Sequence, residues 1–316
     1  MVTHVLPGFT SYKCKYSLLI SSTDLELSHY MAFEAELEFV PVDRKKKGDL
    51  ENLLPVEIGL FGGSGNYDPE MIENPIEAKV FTPFGAPSDN FIVGTVKGRS
   101  FAFLARHARG HTIPPHAINY RANIWGMKAL GVKRIISPAA CGSLQPEKIK
   151  LGEFVIADQI FDRTFGQRKD TFFEGGTIAH LPFGEPFCPE LRKTALGTAD
   201  DLGFKVHDGG TYVCINGPRF STAAESMFFH NQGWDVIGMT AYPEAPLARE
   251  AGICFVNISM PTDYDVHAEE HVTHEKVLET MSKNIKRVRK LTFAMIENIP
   301  KEAECSCQIA LKGGLF

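Results

Sequence analysis

The amino-acid sequence predicts an α/β fold, with one large domain built around a substantially parallel sheet. Apolar runs typical of strands recur along the chain, and segments with helical periodicity separate several of them. The 316 residues are 44% hydrophobic, which is enough to bury a large core. The expected strands are 56–61, 91–97, 101–106, 132–137, 153–160, 210–215, 235–239 and 253–259.

Three segments carry helix signals. Residues 116–130 repeat apolar side chains on one face, and Gly131 follows as a residue suited to the C′ position. Thr222 and Glu225 have the spacing of a capping box, so a helix should begin after Thr222. Residues 275–299 repeat apolar side chains every three or four positions, which predicts a long amphipathic helix.

The chain divides into three predicted parts. Residues 1–54 form an N-terminal extension that could be partly ordered by residues 32–40. It ends near the basic cluster 44–48, which we interpret as a solvated linker. Residues 55–300 form the α/β domain that carries every candidate motif described below. Residues 301–316 form a C-terminal tail.

Composition restricts the partner and the location. The formal net charge of −5 gives no basic signature, so we expect a small-molecule partner and no nucleic acid. No apolar run is long enough to span a bilayer, and the N-terminus lacks the features of a signal peptide. The cytoplasm is therefore the expected location, and the nucleus is also compatible.

The seven cysteines are odd in number and mostly scattered through apolar runs, which predicts reduced thiols and no disulfide framework. Cys305 and Cys307 are the one close pair. Such a pair could form a redox or metal site, but we interpret it as two thiols in a tail.

The most informative stretch is Thr262-Asp263-Tyr264-Asp265, which follows the predicted strand 253–259. If the strand continues, period-two alternation directs Asp263 and Asp265 to one face near its carboxyl end. Two carboxylates at this position need a partner that carries positive charge or hydrogen-bond donors. A metal ion could be that partner, and so could the N–H groups of an aminopurine.

Three motifs are suited to an anion. The glycine-rich strand end 61–65 exposes backbone N–H groups, and Ser64 adds a hydroxyl; its glycine spacing does not satisfy the fingerprint of a Rossmann dehydrogenase, which is the competing class. Arg106 and His107 follow the next strand and can bind phosphate, Arg106 with its planar fork of donors and His107 by donating a ring N–H. Residues 137–144 are small and would expose further backbone N–H groups.

Two later motifs are suited to a base and a sugar. Phe220 could stack on a flat base and Ser221 could donate a hydrogen bond, although a core aromatic residue beside a helix cap explains them equally well. Met239 and Thr240 lie at another strand end.

Taken in order, these five motifs and 262–265 resemble the trimeric purine nucleoside phosphorylase family, most closely its 5′-methylthioadenosine phosphorylase branch. The resemblance covers about 56–300. It implies a single domain with a twisted mixed β-sheet flanked by helices, phosphorolysis of a purine nucleoside, and a homotrimer. It also implies inorganic phosphate as co-substrate, without a metal or an organic cofactor.

The resemblance further implies which residues form each part of the site. The phosphate site would contain Ser64, Arg106, His107, the Ala140 backbone and Thr240. The base site would contain Phe220, Ser221, Asp263 and Asp265. The ribose and its 5′ group would contact Met239, His274 and His180, the last from a neighbouring subunit. The catalytic residues would be Asp263, Ser221 and His107.

Several positions depart from the methylthioadenosine branch. Ser64 and Ala139 stand where that branch has threonine, so one phosphate hydroxyl is altered and another is missing. Gly238, Ala241 and Tyr242 also differ from the branch. His274 replaces an apolar residue and instead resembles the histidine with which purine nucleoside phosphorylases bind the 5′-hydroxyl.

The expected activity is phosphorolysis of 5′-methylthioadenosine, with adenosine as a second substrate because of His274. An aspartate at 263 favours 6-aminopurines, because a mismatched base would leave buried polar groups unpaired. Two alternatives stay open. One is a hydrolase of the same nucleosides, which the missing hydroxyl at Ala139 allows. The other is a non-catalytic paralogue that binds adenine nucleosides.

Overall fold

The computed structural model describes residues 12–17, 34–41, 54–63, 72–265, 274–312 and 314–315, with the backbone alone for 12–17, 34–41 and 274–283. Ser64 and the side chain of His274 therefore lie outside the described residues. No helix in the described ranges has both the length and the apolar character that membrane crossing requires.

Within these ranges, thirteen strands form one mixed sheet. They are β1 (Tyr12–Ser17), β2 (Glu34–Pro41), β3 (Ile58–Gly62), β4 (Glu73–Phe81), β5 (Phe91–Val96), β6 (Arg99–Ala105), β7 (Arg134–Ser143), β8 (Phe154–Ile156), β9 (Gln159–Arg163), β10 (Val206–Asp208), β11 (Thr211–Ile215), β12 (Val236–Gly238) and β13 (Cys254–Asp263). The main order is β1-β2-β4-β5-β6-β3-β7-β12-β11-β9, and β13 pairs with β7 and β8. The mixed sheet implied by the resemblance is confirmed, although the largely parallel sheet expected from alternation is only partly present.

The central strand is β7. It runs parallel to β3 on one side and to β13 on the other, and β3 is also parallel to β6. The carboxyl ends of these four strands therefore face one edge of the sheet, which is where α/β sheets usually bind ligands, and β7 and β13 extend past the ends of β3 and β6. β12 pairs antiparallel with the end of β7, so the chain that leaves β12 returns toward this edge.

Five helices cover the sheet in the described ranges. They are α1 (Tyr120–Ala129), α2 (Pro189–Asp201), α3 (Ala223–Asn231), α4 (Ala241–Glu250) and α5 (His274–Asn298). α1 and α4 contribute buried apolar residues to one core cluster, while α2 and α5 contribute to the other. The single α/β domain with helices flanking a sheet is thus confirmed.

The predicted helix boundaries are largely correct. Thr222 and Glu225 form a complete capping box at the start of α3, and α5 begins one residue before its predicted start. α1 begins later than predicted, because the Asn119 side chain accepts from Ala122 N–H and caps the helix there. Gly131 has a φ of 96° and donates to the Lys128 carbonyl as a C′ residue. α2 was not predicted, and neither were the bounds of α4.

Three strand predictions need correction. The run 153–160 is two strands, because the Asp158 carboxylate accepts the Gly210 N–H and interrupts the apolar run. β7 continues six residues beyond its predicted end. Since β3 pairs with β7 only up to Ile136, the missing N–H of Pro138 breaks no ladder bond to β3. β13 continues to Asp263. β1, β2, β4 and β10 were not predicted.

The terminal parts join the domain at several points. β2 pairs with β4, so part of the predicted N-terminal extension belongs to the sheet. In the tail, the Gly314 carbonyl accepts the His180 N–H at 2.8 Å. Cys305 and Cys307 are not loose tail thiols, because they pack against Cys188 and Cys254 in the second core cluster. The domain limits at 55 and 300 stay a prediction.

Candidate active site

Arg106 is the organising residue at the carboxyl edge of the sheet. It follows β6 directly and is fully buried. Its Nη1 donates to Thr240 Oγ1 at 2.7 Å, and its Nη2 donates to the Pro138 carbonyl at 2.8 Å. The guanidinium therefore joins β6, β7 and the start of α4. Two residues predicted to bind phosphate, Arg106 and Thr240, are in direct contact.

A carboxylate that the sequence analysis did not assign balances this cation. Glu244 Oε2 lies 3.3 Å from Arg106 Nη1 and accepts from Ser137 Oγ at 2.8 Å. Burial raises the pKa of Glu244, although Arg106 and the Ser137 hydrogen bond oppose the shift. A signal was present, because Glu244 is only four residues beyond Thr240 and a buried arginine needs a counter-charge.

His107 is buried beside Arg106 and held in one orientation. Its Nδ1 lies 2.9 Å from the Ile113 carbonyl, and its ring stacks on that of His111. Burial, followed by the positive charge of Arg106, lowers the pKa of His107 to about 3, so the ring is neutral near pH 7. With its proton on Nδ1, a neutral ring can only accept at Nε2. Toward phosphate, His107 would thus accept the O–H of the monoprotonated ion, rather than donate as expected.

The small residues of β7 border a small cavity at Pro138, whose carbonyl accepts a hydrogen bond from Arg106. Ala139 and Ala140 line a cavity of about 20 Å³ together with Gly63 and Met260. Ala140 is half-buried, as expected of a residue whose backbone meets a ligand. The cavity adjoins Ala139, where a threonine would add a hydroxyl.

Asp263 and Asp265 come together at the end of β13, but not by strand alternation. The strand ends at Asp263, its register with β7 shifts between Pro261 and Asp263, and Asp265 has a left-handed φ of 50°. The expectation that both residues share one face of a continuing strand was therefore wrong. The Asp265 N–H instead donates to Asp263 Oδ1 at 2.9 Å.

The environment of Asp263 favours a proton on its carboxyl group. Burial raises the pKa of Asp263 to about 6, with a further contribution from the charge of Asp265, despite hydrogen bonds from Asp265 N–H and Thr262 Oγ1. Gly142 leaves the space this carboxylate occupies, because a Cβ at 142 would lie 2.9 Å from Asp263 Oδ1. Gly142 is two residues beyond Ala140 on β7, so roughly 7 Å separates the two positions.

The loop before α3 holds the remaining predicted base residues. Phe220 is 44% exposed, and Ser221 Oγ is buried without a hydrogen-bond partner among the described residues. A buried hydroxyl in that state is suited to a ligand. Gly217, with a φ of 65°, leaves space for Met239, since a Cβ there would lie 2.5 Å from the Met239 sulfur. The base loop and the predicted ribose residue are thus in contact.

Arg168 holds the base loop and the Met239 segment together, and the sequence did not indicate this role. It is buried, and it donates to the carbonyls of Asn216 and Met239 at 2.8 and 2.9 Å. It also donates to the Tyr242 carbonyl and the Tyr120 hydroxyl. A lone arginine after a strand carries no sequence pattern, so no signal could have identified it.

The departure at Gly238 has a structural cause. A Cβ at 238 would lie 1.9 Å from the hydroxyl oxygen of Tyr212, a fully buried side chain. Tyr212 therefore occupies the space that a larger residue at 238 would need. Tyr242, another departure, donates its hydroxyl hydrogen bond to Asp170.

The predicted 5′ residues are less constrained by the described contacts. His180 is exposed in the segment between β9 and α2, and its backbone N–H is bound by Gly314. His274 is the first residue of α5. Their roles stay predictions.

The edge of the sheet thus has two chemically distinct ends. At one end, a buried guanidinium, the Thr240 hydroxyl and a neutral imidazole can hold a phosphate ion. At the other, a carboxyl group of raised pKa and a buried hydroxyl can bind a polar ring. An arrangement of this kind can place an anionic nucleophile and stabilise a departing base.

Comparison with known proteins agrees with this arrangement. The sequence model of the phosphorylase superfamily matches residues 57–297. The chain belongs to the phosphorylase superfamily. An S-methyl-5′-thioadenosine phosphorylase from Nitrosopumilus maritimus is 51% identical over 83% of this chain and 98% of the relative. A probable 6-oxopurine nucleoside phosphorylase from Dictyoglomus turgidum is 47% identical over 81% of this chain and 97% of the relative.

Solved structures of the superfamily have the same fold. A methylthioadenosine phosphorylase from an antarctic soil metagenomic library aligns with a TM-score of 0.78 and 38% identity, covering 83% of this chain and 92% of that one. A variant of adenosine/methylthioadenosine phosphorylase from Schistosoma mansoni, in complex with methylthioadenosine, aligns at 0.76 and 36%, covering 82% and 96%. The family resemblance inferred from the motifs is confirmed.

The pairing of Arg106 with Glu244 predicts a specific response to phosphate. Glu244→Gln keeps the side-chain shape and removes its charge, so the thermal unfolding midpoint should fall, because breaking a buried pair costs about 3–5 kcal/mol. Phosphate should raise the midpoint more in the variant than in the wild type, since no carboxylate then competes for Arg106. Calorimetry with and without phosphate measures both effects.

Glu250→Gln is the matched control. It also removes a buried carboxylate, but Glu250 accepts hydrogen bonds from Thr171 and Phe172 and not from Arg106. Its phosphate-induced shift should equal that of the wild type. If Glu244→Gln also shows the wild-type shift, Glu244 and phosphate do not compete for the guanidinium.

Proposed function

We propose that this protein catalyses phosphorolysis of 5′-methylthioadenosine to adenine and 5-methylthioribose 1-phosphate, a step that serves purine and methionine salvage. The observation that carries the proposal is the short distance, measured along β7, between the anion site at Arg106 and the carboxyl group of Asp263. The cavity next to the Arg106 site is lined by Ala139 and Ala140, while Asp263 touches Gly142, so roughly 7 Å separates the two along the strand, which a nucleoside could bridge. The activities named for the relatives support the same reaction.

The phosphate site would act by positioning the nucleophile. Arg106 and Thr240 would bind phosphate oxygens, and His107 would accept the phosphate O–H at Nε2. One phosphate oxygen attacks C1′ as the C1′–N9 bond breaks, and the electron pair of that bond remains on the purine. Phosphate and Glu244 would share one guanidinium, so Glu244, whose pKa is already raised by burial, is suited to take up a proton when phosphate enters.

The base site would stabilise the leaving group. Asp263 with a proton donates to the purine N7 as negative charge develops on the ring, and the Ser221 hydroxyl contributes a second hydrogen bond. The Asp263 carboxylate also accepts from an exocyclic 6-amino group, whereas a 6-oxo group would face its lone pairs. This arrangement supports 6-aminopurines, although the relative from Dictyoglomus turgidum is named for 6-oxopurines.

The 5′ side would be completed by His274 and by His180 of a neighbouring subunit in a homotrimer. Phe165 and Ile178, which flank the His180 segment, are 67% and 59% exposed and would be buried by a subunit contact. His274 would bind the 5′-hydroxyl of adenosine, which makes adenosine a second substrate.

We place the protein in the cytoplasm. Neither the hydrolase nor the non-catalytic paralogue gains support from the relatives named above.

The test is release of base from methylthioadenosine, adenosine and inosine, each with and without phosphate. We expect phosphate-dependent release of adenine from the first two and little release from inosine. Release without phosphate would indicate a hydrolase. Binding without release would indicate the non-catalytic paralogue, and rapid use of inosine would overturn the role of Asp263.

The raised pKa of Asp263 predicts a pH dependence. Since its protonated form is the proton donor, its contribution is present below pH 6 and decreases as pH rises through about 6. The ratio of kcat/KM for wild type to that of Asp263→Asn should fall accordingly. Phosphate titrates equally in both assays, so its effect cancels. Ser221→Ala should give a ratio that is independent of pH, and a flat ratio for Asp263→Asn would refute the assignment.

The role of His274 predicts an unequal effect on the two substrates. His274→Val should lower kcat/KM for adenosine about tenfold more than for methylthioadenosine, because only adenosine leaves a 5′-hydroxyl without a partner. Parallel steady-state assays measure the ratio. Equal loss for both substrates would show that His274 does not contact the 5′ group.

A further inference from the structure

Four cysteines converge at a place that the proposed reaction does not use. Cys188 immediately precedes α2, Cys254 begins β13, and Cys305 and Cys307 lie in the tail. Although 117 residues separate Cys188 from Cys305 in sequence, their sulfur atoms are 3.6 Å apart. The Cys254 and Cys305 sulfurs are 3.3 Å apart.

The arrangement is a single cluster. All four Sγ atoms lie within 4.8 Å of one another. In a tetrahedral site with zinc–sulfur bonds of about 2.3 Å, neighbouring sulfurs are about 3.8 Å apart. The sulfur separations of 3.3 and 3.6 Å are slightly shorter than that value, and the others do not exceed 4.8 Å. Two independent disulfides would require only that each sulfur approach one partner, so convergence of all four on a common centre is the geometry of a metal site.

The surroundings are suited to a structural ion. Cys188, Cys254 and Cys307 are at most 1% exposed and belong to the second core cluster. Cys188 is the N-cap of the 13-residue α2, where the partial positive charge of the helix stabilises a thiolate. Arg249 is close enough to act electrostatically on Cys307. These two features offset part of the negative charge of four thiolates around a divalent cation.

An entry path reaches the cluster from one side. Cys305 is half-buried and lines a cavity of about 620 Å³ between α2 and the segment that follows α5. Glu190 and Glu304 line the same cavity. Their carboxylates would attract a cation toward the sulfur atoms.

We propose that Cys188, Cys254, Cys305 and Cys307 bind one structural zinc ion, which attaches the C-terminal tail to the core. Four thiolates in tetrahedral geometry select zinc or iron over the hard cations. Each thiol loses its proton on binding, so uptake of the ion releases up to four protons and needs no oxidant. The site has no open coordination position, hence its role is stability rather than chemistry.

The experiment measures metal in the untagged full chain, purified anaerobically without chelators. Mass spectrometry of the metals should give one zinc per protomer. The double variant Cys305→Ser/Cys307→Ser should contain at least tenfold less. Cys214→Ser, which changes a buried cysteine of β11 that is not part of the cluster, should keep the wild-type content. A chelator should lower the thermal midpoint of the wild type and leave that of the double variant unchanged.

Cobalt provides a second readout if the double variant does not fold. Cobalt-loaded wild type should show the visible bands of a tetrahedral ion and the charge-transfer absorption of four thiolates. Several results would overturn the proposal: no stoichiometric zinc after reduction and zinc addition, equal zinc in the double variant, disulfides among these cysteines in the anaerobic protein, or iron in place of zinc. None of these readouts depends on phosphorolysis, so the two proposals fail separately.

Discussion

The buried pairing of Arg106 with Glu244 is the constraint on which the rest of the site depends. A guanidinium with no exposed surface needs hydrogen-bond partners, and its two terminal nitrogens find them in the middle of β7 and at the start of α4. Satisfying that one charge therefore fixes where three chain segments meet. The same N–H groups can also bind an incoming anion. Burial raises the pKa of Glu244, and an uncharged Glu244 would compete less for the guanidinium.

A second organising feature is the short irregular end of β13. The register shift after Pro261 and the left-handed conformation of Asp265 bring two carboxylates together at Gly142. Burial and like charge then keep a proton on Asp263 at a pH where an exposed aspartate would be ionised. The local backbone therefore sets the acidity of the group, and that acidity matches the demand of a leaving purine.

Much of this architecture could be predicted from the residues, and the exceptions have physical causes. The contact of Arg106 with Thr240 follows from strand ends that meet at one edge, and the capping box at Thr222 is purely local. The position of Asp265 could not be predicted, because alternation holds only while a strand continues. Arg168 binds carbonyls 48 and 71 residues away, and the cysteine cluster joins residues 117 positions apart. Contacts of this range leave no periodic trace in the sequence.

The packing of Tyr212 against Gly238 carries an evolutionary consequence. Any side chain at 238 would occupy the volume of the Tyr212 hydroxyl, so the two positions can change only together. A lineage that acquires the larger residue at 238 must first, or at the same step, reduce residue 212. The intermediate with a large residue at both positions is overpacked in a fully buried location. Transfer of a larger residue 238 from another branch therefore requires exchange of both residues, and a single substitution at 238 would destabilise the protein.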